Sequence, residues 1–373
     1  MNIYQELGVS PVLNAAGTLT MLGGNTPSDN VRSLMDESEE YYVYIGDLIT
    51  SVGNKIASML DVEAATVTSG CASALTLAAA ACMTGNDPVK IEKIPDVTGM
   101  RHEFIIQKQL RVKYDRCLTL TGGKLVEVGD TQQTKPEHIE AAIGINTAAI
   151  HYLAVPQPEQ LPGALPLEEV IEIGHSHGIP IIVDAASRVY PIHELSQYVK
   201  MGADLVAYGA KYFGSVSSSG ILTGRKDLVD SAASQGFANF ETSTLRTFGR
   251  PMKLDRQEII AVYAALKEWL SMNHEDRFAL YESRISNLKS DLRDISCIEM
   301  SDYPDVGPKD GLKITIDPSK TKKTNFEVIE ELRSGNPSIW VREWDQIDAF
   351  VITMPQLKEG GEKVIARRLK EIL

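Results

Sequence analysis

Gly202-Ala-Asp-Leu-Val-Ala-Tyr-Gly-Ala-Lys211-Tyr-Phe-Gly214, continued by Ser215-Val-Ser-Ser-Ser-Gly220, is the stretch on which the reading of this chain turns. Leu205, Val206 and Ala207 make a short apolar run of the kind a buried parallel strand needs. Directly behind it stands a lysine fenced by Gly209 and Gly214. Charged side chains are rarely placed at the mouth of a buried strand without a partner or a task. Held in a pocket dry enough to lower its pKa, such a lysine can form a Schiff base with an aldehyde. A lysine that snorkels out of a loop would read the same way in isolation, so the rest of the chain decides.

Upstream, Ile179-Pro-Ile-Ile-Val-Asp184-Ala-Ala-Ser187-Arg188 is a mostly β-branched run closed by an aspartate. That places a carboxylate at the C-terminal end of a parallel strand, where open α/β sheets put their ligand chemistry. A carboxylate on one strand end and a lysine after the next are the pair that pyridoxal phosphate requires. The amine takes the aldehyde, and the carboxylate keeps the pyridine nitrogen protonated so that the ring can accept electrons. Taken alone, Asp184 could equally cap a turn or helix. A third element is Ala64-Ala-Thr-Val-Thr68-Ser-Gly-Cys-Ala-Ser73, a brief strand (Ala65–Val67) that runs into an alanine-rich helix. The start of that helix offers free amides and the positive end of a dipole, a ready phosphate site. Gly70 lets a ligand come close to the backbone, and Ser69 and Ser73 can add hydroxyl donors. A core helix with a serine cap carries the same pattern and is commoner.

The chain has 373 residues, enough for one large domain and a smaller one. Its formal net charge of -13 argues against a nucleic-acid-binding surface, although a local basic pocket stays possible. Cysteines 71, 82, 117 and 297 lack metal-like spacing and suit a reducing compartment, and no metal is expected. Cys71 and Cys82, set among alanines, read as small core residues. No basic and apolar leader opens the chain, and no apolar run reaches membrane-spanning length, so a cytoplasmic protein without membrane contact is expected.

Read in order, residues 1–30 are rich in glycine and small polar side chains and read as an ordered loop. Helices follow from Ser28 or Asp29 to about Tyr42 and from Gly46 to Leu60. Residues 86–100 read as loop. Strands are expected at Glu103–Gln107, Lys124–Val128, Ala148–Leu153 and Gly220–Gly224, with a helix at Leu167–His177. Between them Pro156–Pro166, with four prolines, must be irregular. Strands alternating with helices argue for a wound, mostly parallel α/β sheet. Asp255–Met272 reads as a long connecting helix. Strands Lys313–Ile316 and Ala349–Thr353, a helix near Asn325–Ser334 and a closing helix at Lys358–Leu373 suggest a small α+β domain. The expected division is therefore 1–254 and 255–373.

Lys211 in its strand-loop-glycine context, Asp184 in Val-Asp-Ala-Ala, Thr68-Ser-Gly70 before an alanine helix, and Gly249-Arg250-Pro251-Met252-Lys253 together resemble one family. It is the selenocysteine-synthase-like group of fold-type I pyridoxal-phosphate enzymes, three-layer α/β proteins. Within that group the chain, including its Leu13-Asn14-Ala-Ala-Gly-Thr18 opening, resembles D-glucosaminate-6-phosphate ammonia lyase. The resemblance implies that Lys211 is the Schiff-base lysine and Asp184 the pyridinium partner. It implies that Ser69, Gly70 and Cys71 cradle the phosphate, with Ser73 beside them. His102 matches the position that stacks over the ring, and Ser187 the donor to the phenolate oxygen. Arg250 and Arg342 are candidate holders of a substrate carboxylate or phosphate, and each could equally be an ordinary surface arginine. The sequence departs from these lyases on both sides of the lysine. Gly214-Ser215-Val216 replaces glycine-proline-glutamine, and Tyr208-Gly-Ala210 replaces serine-glycine-glycine. Tyr208 could reach the phosphate or cover the site.

The activity implied is α,β-elimination from an amino acid or amino-sugar acid, giving a 2-oxo acid and ammonia. Transamination, racemisation, aldol cleavage and β-replacement, including selenium transfer on seryl-tRNA, use the same constellation, and a silent scaffold would keep the same fold. The expected partners are a small-molecule substrate, no nucleic acid, and a second copy of the chain. Residues 11–27 have too few apolar side chains for a core of their own and need a surface to order against, which suggests a homodimer.

Overall fold

A computed structural model of the chain describes residues 2–155, 161–343 and 348–373. Pro156 and the residues up to 160, part of the expected proline-rich irregular segment, lie outside the described residues. In chain order the strands are β1 (Val12–Ala15), β2 (Ala64–Thr68), β3 (Glu103–Gln107), β4 (Lys124–Val128), β5 (Thr147–Leu153) and β6 (Ile181–Asp184). They continue as β7 (Leu205–Gly209), β8 (Gly220–Gly224), β9 (Ile298–Tyr303), β10 (Gly311–Ile316), β11 (Ser338–Glu343) and β12 (Phe350–Thr353).

The chain divides into two compact units, Thr26–Ser271 and a second made of Met1–Asn25 with Met272–Leu373. The expected boundary after residue 254 does not coincide with this division. The helix Arg256–Ser271 belongs to the larger unit because Ile259, Val262, Leu266 and Trp269 are buried in its core. The N-terminal segment belongs to the smaller unit because β1 pairs in parallel with β11, Val12 opposite Ser338 through Ala15 opposite Val341. Part of the segment read as a loop is thus a strand on its own chain, and its composition is no argument for a second subunit.

In the larger unit seven strands run in the order β2-β8-β7-β6-β5-β3-β4. The pairs from β7 to β4 are parallel, and β8 is antiparallel to both of its neighbours. This is the wound, mostly parallel sheet expected from alternating strands and helices. Both faces are buried, which explains why the strands read as near-continuous apolar runs. Ile182, Leu205, Ala207 and Leu222 pack with the alanine-rich helix Gly70–Thr84 on one face. Val183, Val206, Tyr208 and Ile221 pack into the larger core on the other. The buried alanines 74 and 78–81 let that helix lie close to the sheet. Residues 88–93, expected as loop, form a short helix with Pro88 in its first turn, capped by Asp87.

The smaller unit holds a mixed sheet in the order β1-β11-β12-β10-β9. The helices His274–Leu292, Asn325–Ser334 and Gly361–Ile372 share its core through Leu288, Leu332 and Leu369. Among the described residues no helix is long and apolar enough to cross a membrane.

Candidate active site

Parallel strands bring their C-terminal ends to one edge, and here that edge gathers the chemistry. Asp184 ends β6 and pairs with Ala207 of β7, so Lys211 follows within one short turn, Ala210–Phe213. Lys211 is half-buried, and its Nζ lies 5.0 Å from the centre of the Tyr212 ring. Burial lowers the lysine's pKa from 10.5, with the Cys71 sulfur acting weakly the other way. Desolvation therefore favours the neutral amine.

Asp184 is only 5% exposed. Its Oδ1 accepts from the Ala186 amide at 3.0 Å and from the Cys71 thiol at 3.5 Å. No other hydrogen bond to this carboxylate is made among the described residues. Burial pushes the carboxyl above 3.8, opposed first by the nearby His151. Burial also pushes the Cys71 thiol well up, and the Asp184 charge adds to this, so Cys71 is a protonated donor rather than a nucleophile.

The helix Gly70–Thr84 starts beside these groups. Ser69 stands at its N-cap without a side-chain cap bond, so it leaves the first-turn amides to a ligand. The Ser69 hydroxyl instead lies 2.8 Å from the Ser73 hydroxyl and 3.2 Å from the Met252 carbonyl. Gly70 has φ +84°, open to glycine at little cost. At Gly220 an added Cβ would stand 2.6 Å from the Gly70 carbonyl carbon and 2.8 Å from the Cys71 amide nitrogen. The start of β8 thus closes tightly on the helix start, and only glycine fits.

The structure does not bring all the expected residues here. His102 precedes β3 and therefore lies at the opposite, N-terminal edge of the sheet, its Nδ1 2.9 Å from the Met100 carbonyl. It cannot stack over a ring held by Asp184. Tyr208 is fully buried, and because Ala207 shares a face with Asp184 the pleat turns Tyr208 to the other. Its hydroxyl donates to the Glu194 carbonyl at 2.8 Å, which makes it core rather than cofactor contact. Ser187 is exposed, three residues beyond Asp184. Arg250 is paired with Glu241 and lies 6.0 Å from the Phe240 ring centre. Arg342 belongs to the smaller unit, on β11. It lies near Asp310, whose carboxyl burial pushes up to about 6 against the pull of Arg342 and Arg277.

One residue on this sheet carried no functional reading in the sequence. His151, on β5, is 2% exposed and its Nδ1 has no hydrogen-bond partner among the described residues. The signal was available: a lone imidazole inside an apolar strand run, beside a strand that ends in aspartate.

The family profile for SelA, L-seryl-tRNA selenium transferase, matches residues 45–277, which include every group just described at the C-terminal edge. The chain belongs to this family. It is a family of fold-type I pyridoxal-phosphate enzymes, so the resemblance read from the sequence holds for this chain. Over 99% of its length the chain is 30% identical to a Streptomyces 5'-C-glycyluridine monooxygenase-decarboxylase, of which it covers 92%. It is 26% identical to D-glucosaminate-6-phosphate ammonia lyase of Salmonella typhimurium, over 100% of this chain and 98% of that one. A solved structure of a D-glucosaminate-6-phosphate ammonia-lyase superposes with a TM-score of 0.86 at 25% identity, covering 100% of this chain and 98% of that one. An aspartate aminotransferase from Thermotoga maritima, at 15% identity and TM-score 0.55 over 99% and 93%, shares the fold.

Proposed function

We propose that this protein binds pyridoxal 5'-phosphate and acts as an ammonia lyase. It would convert an amino acid or amino-sugar acid to a 2-oxo acid by α,β-elimination. The observation that carries the cofactor is the pairing of a half-buried lysine with a buried carboxylate at one sheet edge, beside an uncapped helix start. The residues present fit the group. Asp184 keeps an oxygen for a ring N–H, and the lack of a side chain at Gly70 leaves the helix start open to a phosphate. Lys211 would hold the aldehyde, and Ser69, Ser73 and the amides of Gly70 and Cys71 the phosphate.

When bound, the cofactor supplies an electron sink for the pair left on the substrate's α-carbon. The protein's own part is proton handling and exclusion of water. Lys211, its pKa lowered by burial, takes the α-proton at Nζ. The same ammonium can then give a proton to the leaving hydroxyl on the β-carbon. Cys71 and the Ala186 amide fix the orientation of Asp184, which would hold the protonated ring nitrogen when the cofactor is bound. Overall a 2-amino-3-hydroxy acid becomes a 2-oxo acid and ammonia, with no oxidant required. Arg250 is committed to Glu241 and is left out of this scheme.

The likeness to the ammonia lyase over the whole chain supports this reading. The higher identity to the monooxygenase-decarboxylase favours a second, in which dioxygen is a co-substrate. Glucosaminate 6-phosphate, glycyluridine and a seryl ester are all α-amino acids, or derivatives of one, with oxygen on the adjoining carbon. That supports 2-amino-3-hydroxy acids as the substrate class under either reading. A panel of such acids, scored for 2-oxo acid, ammonia and dioxygen uptake together, tests the choice. Equal release of 2-oxo acid and ammonia without dioxygen uptake is the expected result. Dioxygen uptake with carbon dioxide release would replace the lyase by the second reading. Association as a homodimer belongs to the same proposal, and an active species sedimenting at the monomer mass of 40.9 kDa would exclude it.

A further inference from the structure

We propose that His151 is a positioning residue for Asp184: its imidazole, on the neighbouring strand, carries the positive charge that keeps the buried carboxylate ionised. The inference rests on Asp184 as the pyridinium partner. In the β5–β6 register His151 lies opposite Ile182 and Leu153 opposite Asp184. Side chains two apart share a face, so His151 is the diagonal neighbour of Asp184 on the face covered by the alanine-rich helix.

Nothing about packing asks for histidine at this point. Ile150 and Ile182 beside it are buried hydrocarbon. An imidazole nitrogen buried without a hydrogen-bond partner is destabilising, so its retention points to a role that hydrocarbon cannot fill. The charged and titratable groups around the pair are few. Cys71 faces Asp184 from the helix, and Asp115 and Cys117 approach from the segment before and within the helix Arg116–Thr119. Asp115 already has a cation, since Arg111 donates to it at 2.5 Å and the Val112 amide at 3.1 Å. Cys71 is held protonated. Asp184 is left as the carboxylate whose charge His151 can answer. Burial lowers the imidazole's pKa and raises that of the Asp184 carboxyl, and each group is the first of the influences that oppose burial at the other. A pair coupled in this way holds one proton in common.

The test uses cofactor-free protein, so it does not depend on turnover. Histidine labelled with 13C at Cε1 is followed against pH by NMR in wild type and in Asp184→Asn, with the His151 resonance assigned by its loss in His151→Gln. The expected result is a fall of about one unit in the His151 midpoint in Asp184→Asn, a tenfold loss of proton affinity. Infrared difference spectra should also show a protonated carboxyl band at neutral pH in His151→Phe, absent from wild type and from the double variant with Asp184→Asn. A histidine kept only for packing would leave the midpoint in Asp184→Asn where it is in wild type, and that result overturns the proposal. If His151→Phe does not fold, the comparison of wild type with Asp184→Asn decides by itself. Failure of the lyase assay would leave these titrations unchanged, so the two proposals fail separately.

Discussion

Asp184 and Asp204 are equally buried, each 5% exposed, and they sit at opposite edges of the same sheet. Asp204, just before β7, accepts from Arg225 at 2.6 Å, from His175 at 3.0 Å and from the Ile181 amide at 2.8 Å. Asp184 accepts from one amide and one thiol. The first carboxylate has its counter-charge in the fold, and the second has no hydrogen-bonded cation. A buried carboxylate with no hydrogen-bonded cation is costly to keep charged, and it needs either a charge nearby, as proposed for His151, or a ligand. The difference separates a carboxylate fully paired within the fold from one that keeps an oxygen free at the C-terminal edge.

That contrast breaks most visibly at the lysine beside the incomplete carboxylate. Lys211→Ala should reduce turnover below detection and remove any borohydride-reducible adduct, read by activity and by mass after reduction. Asp184→Asn should keep the fold and lower the rate by orders of magnitude, since the ring nitrogen loses its anionic partner. The same substitution should act on cofactor-free stability with a definite sign. Asp184 has its pKa raised above 3.8 in the fold, so the native state binds more protons than the unfolded one between 3.8 and that raised value. Its contribution is therefore fully present at low pH and lost as pH rises through the raised value. Urea titrations should find Asp184→Asn more stable than wild type at neutral pH, with the gap closing toward pH 4. Equal stability at both ends would mean that Asp184 is paired in the fold like Asp204.

At the other edge the order of effects reverses. Asp204→Asn should cost about 2–3 kcal/mol in urea unfolding, because it weakens the bonds to Arg225 and His175, yet leave the rate near wild type. The smallest effect is expected at His102. His102→Ala should change stability by about 0.5 kcal/mol or less and leave the cofactor's Kd unchanged. A large loss of cofactor affinity would contradict the placement of His102 at the N-terminal edge.

Much of this contrast could be read from residue order alone. Strands 103–107, 124–128, 181–184 and 220–224 are where the apolar runs end in punctuation, and Asp184 and Lys211 follow from the rule that chemistry gathers at the C-terminal ends. The same rule, applied to His102, would have excluded it, since it precedes its strand. Tyr208 needed pleat parity relative to Asp184, which requires the β6–β7 register and so the tertiary structure. β1 was missed because Val12-Leu-Asn-Ala15 has only two large apolar residues, and its pairing with β11 lies more than 300 residues away in sequence. Cys71 reads from the sequence as a small core residue and, by the resemblance, as part of the phosphate cradle, while its side chain turns to Asp184. Local composition carries no information on that direction.

The central claim is that Lys211 and Asp184 form one cofactor site at the C-terminal edge of the large sheet. Its most direct test is borohydride reduction of the wild-type protein saturated with pyridoxal phosphate, followed by peptide mapping. The expected result is one stoichiometric label on Lys211, with loss of the visible colour. A label on another lysine, or none in protein that stays folded, would contradict the assignment.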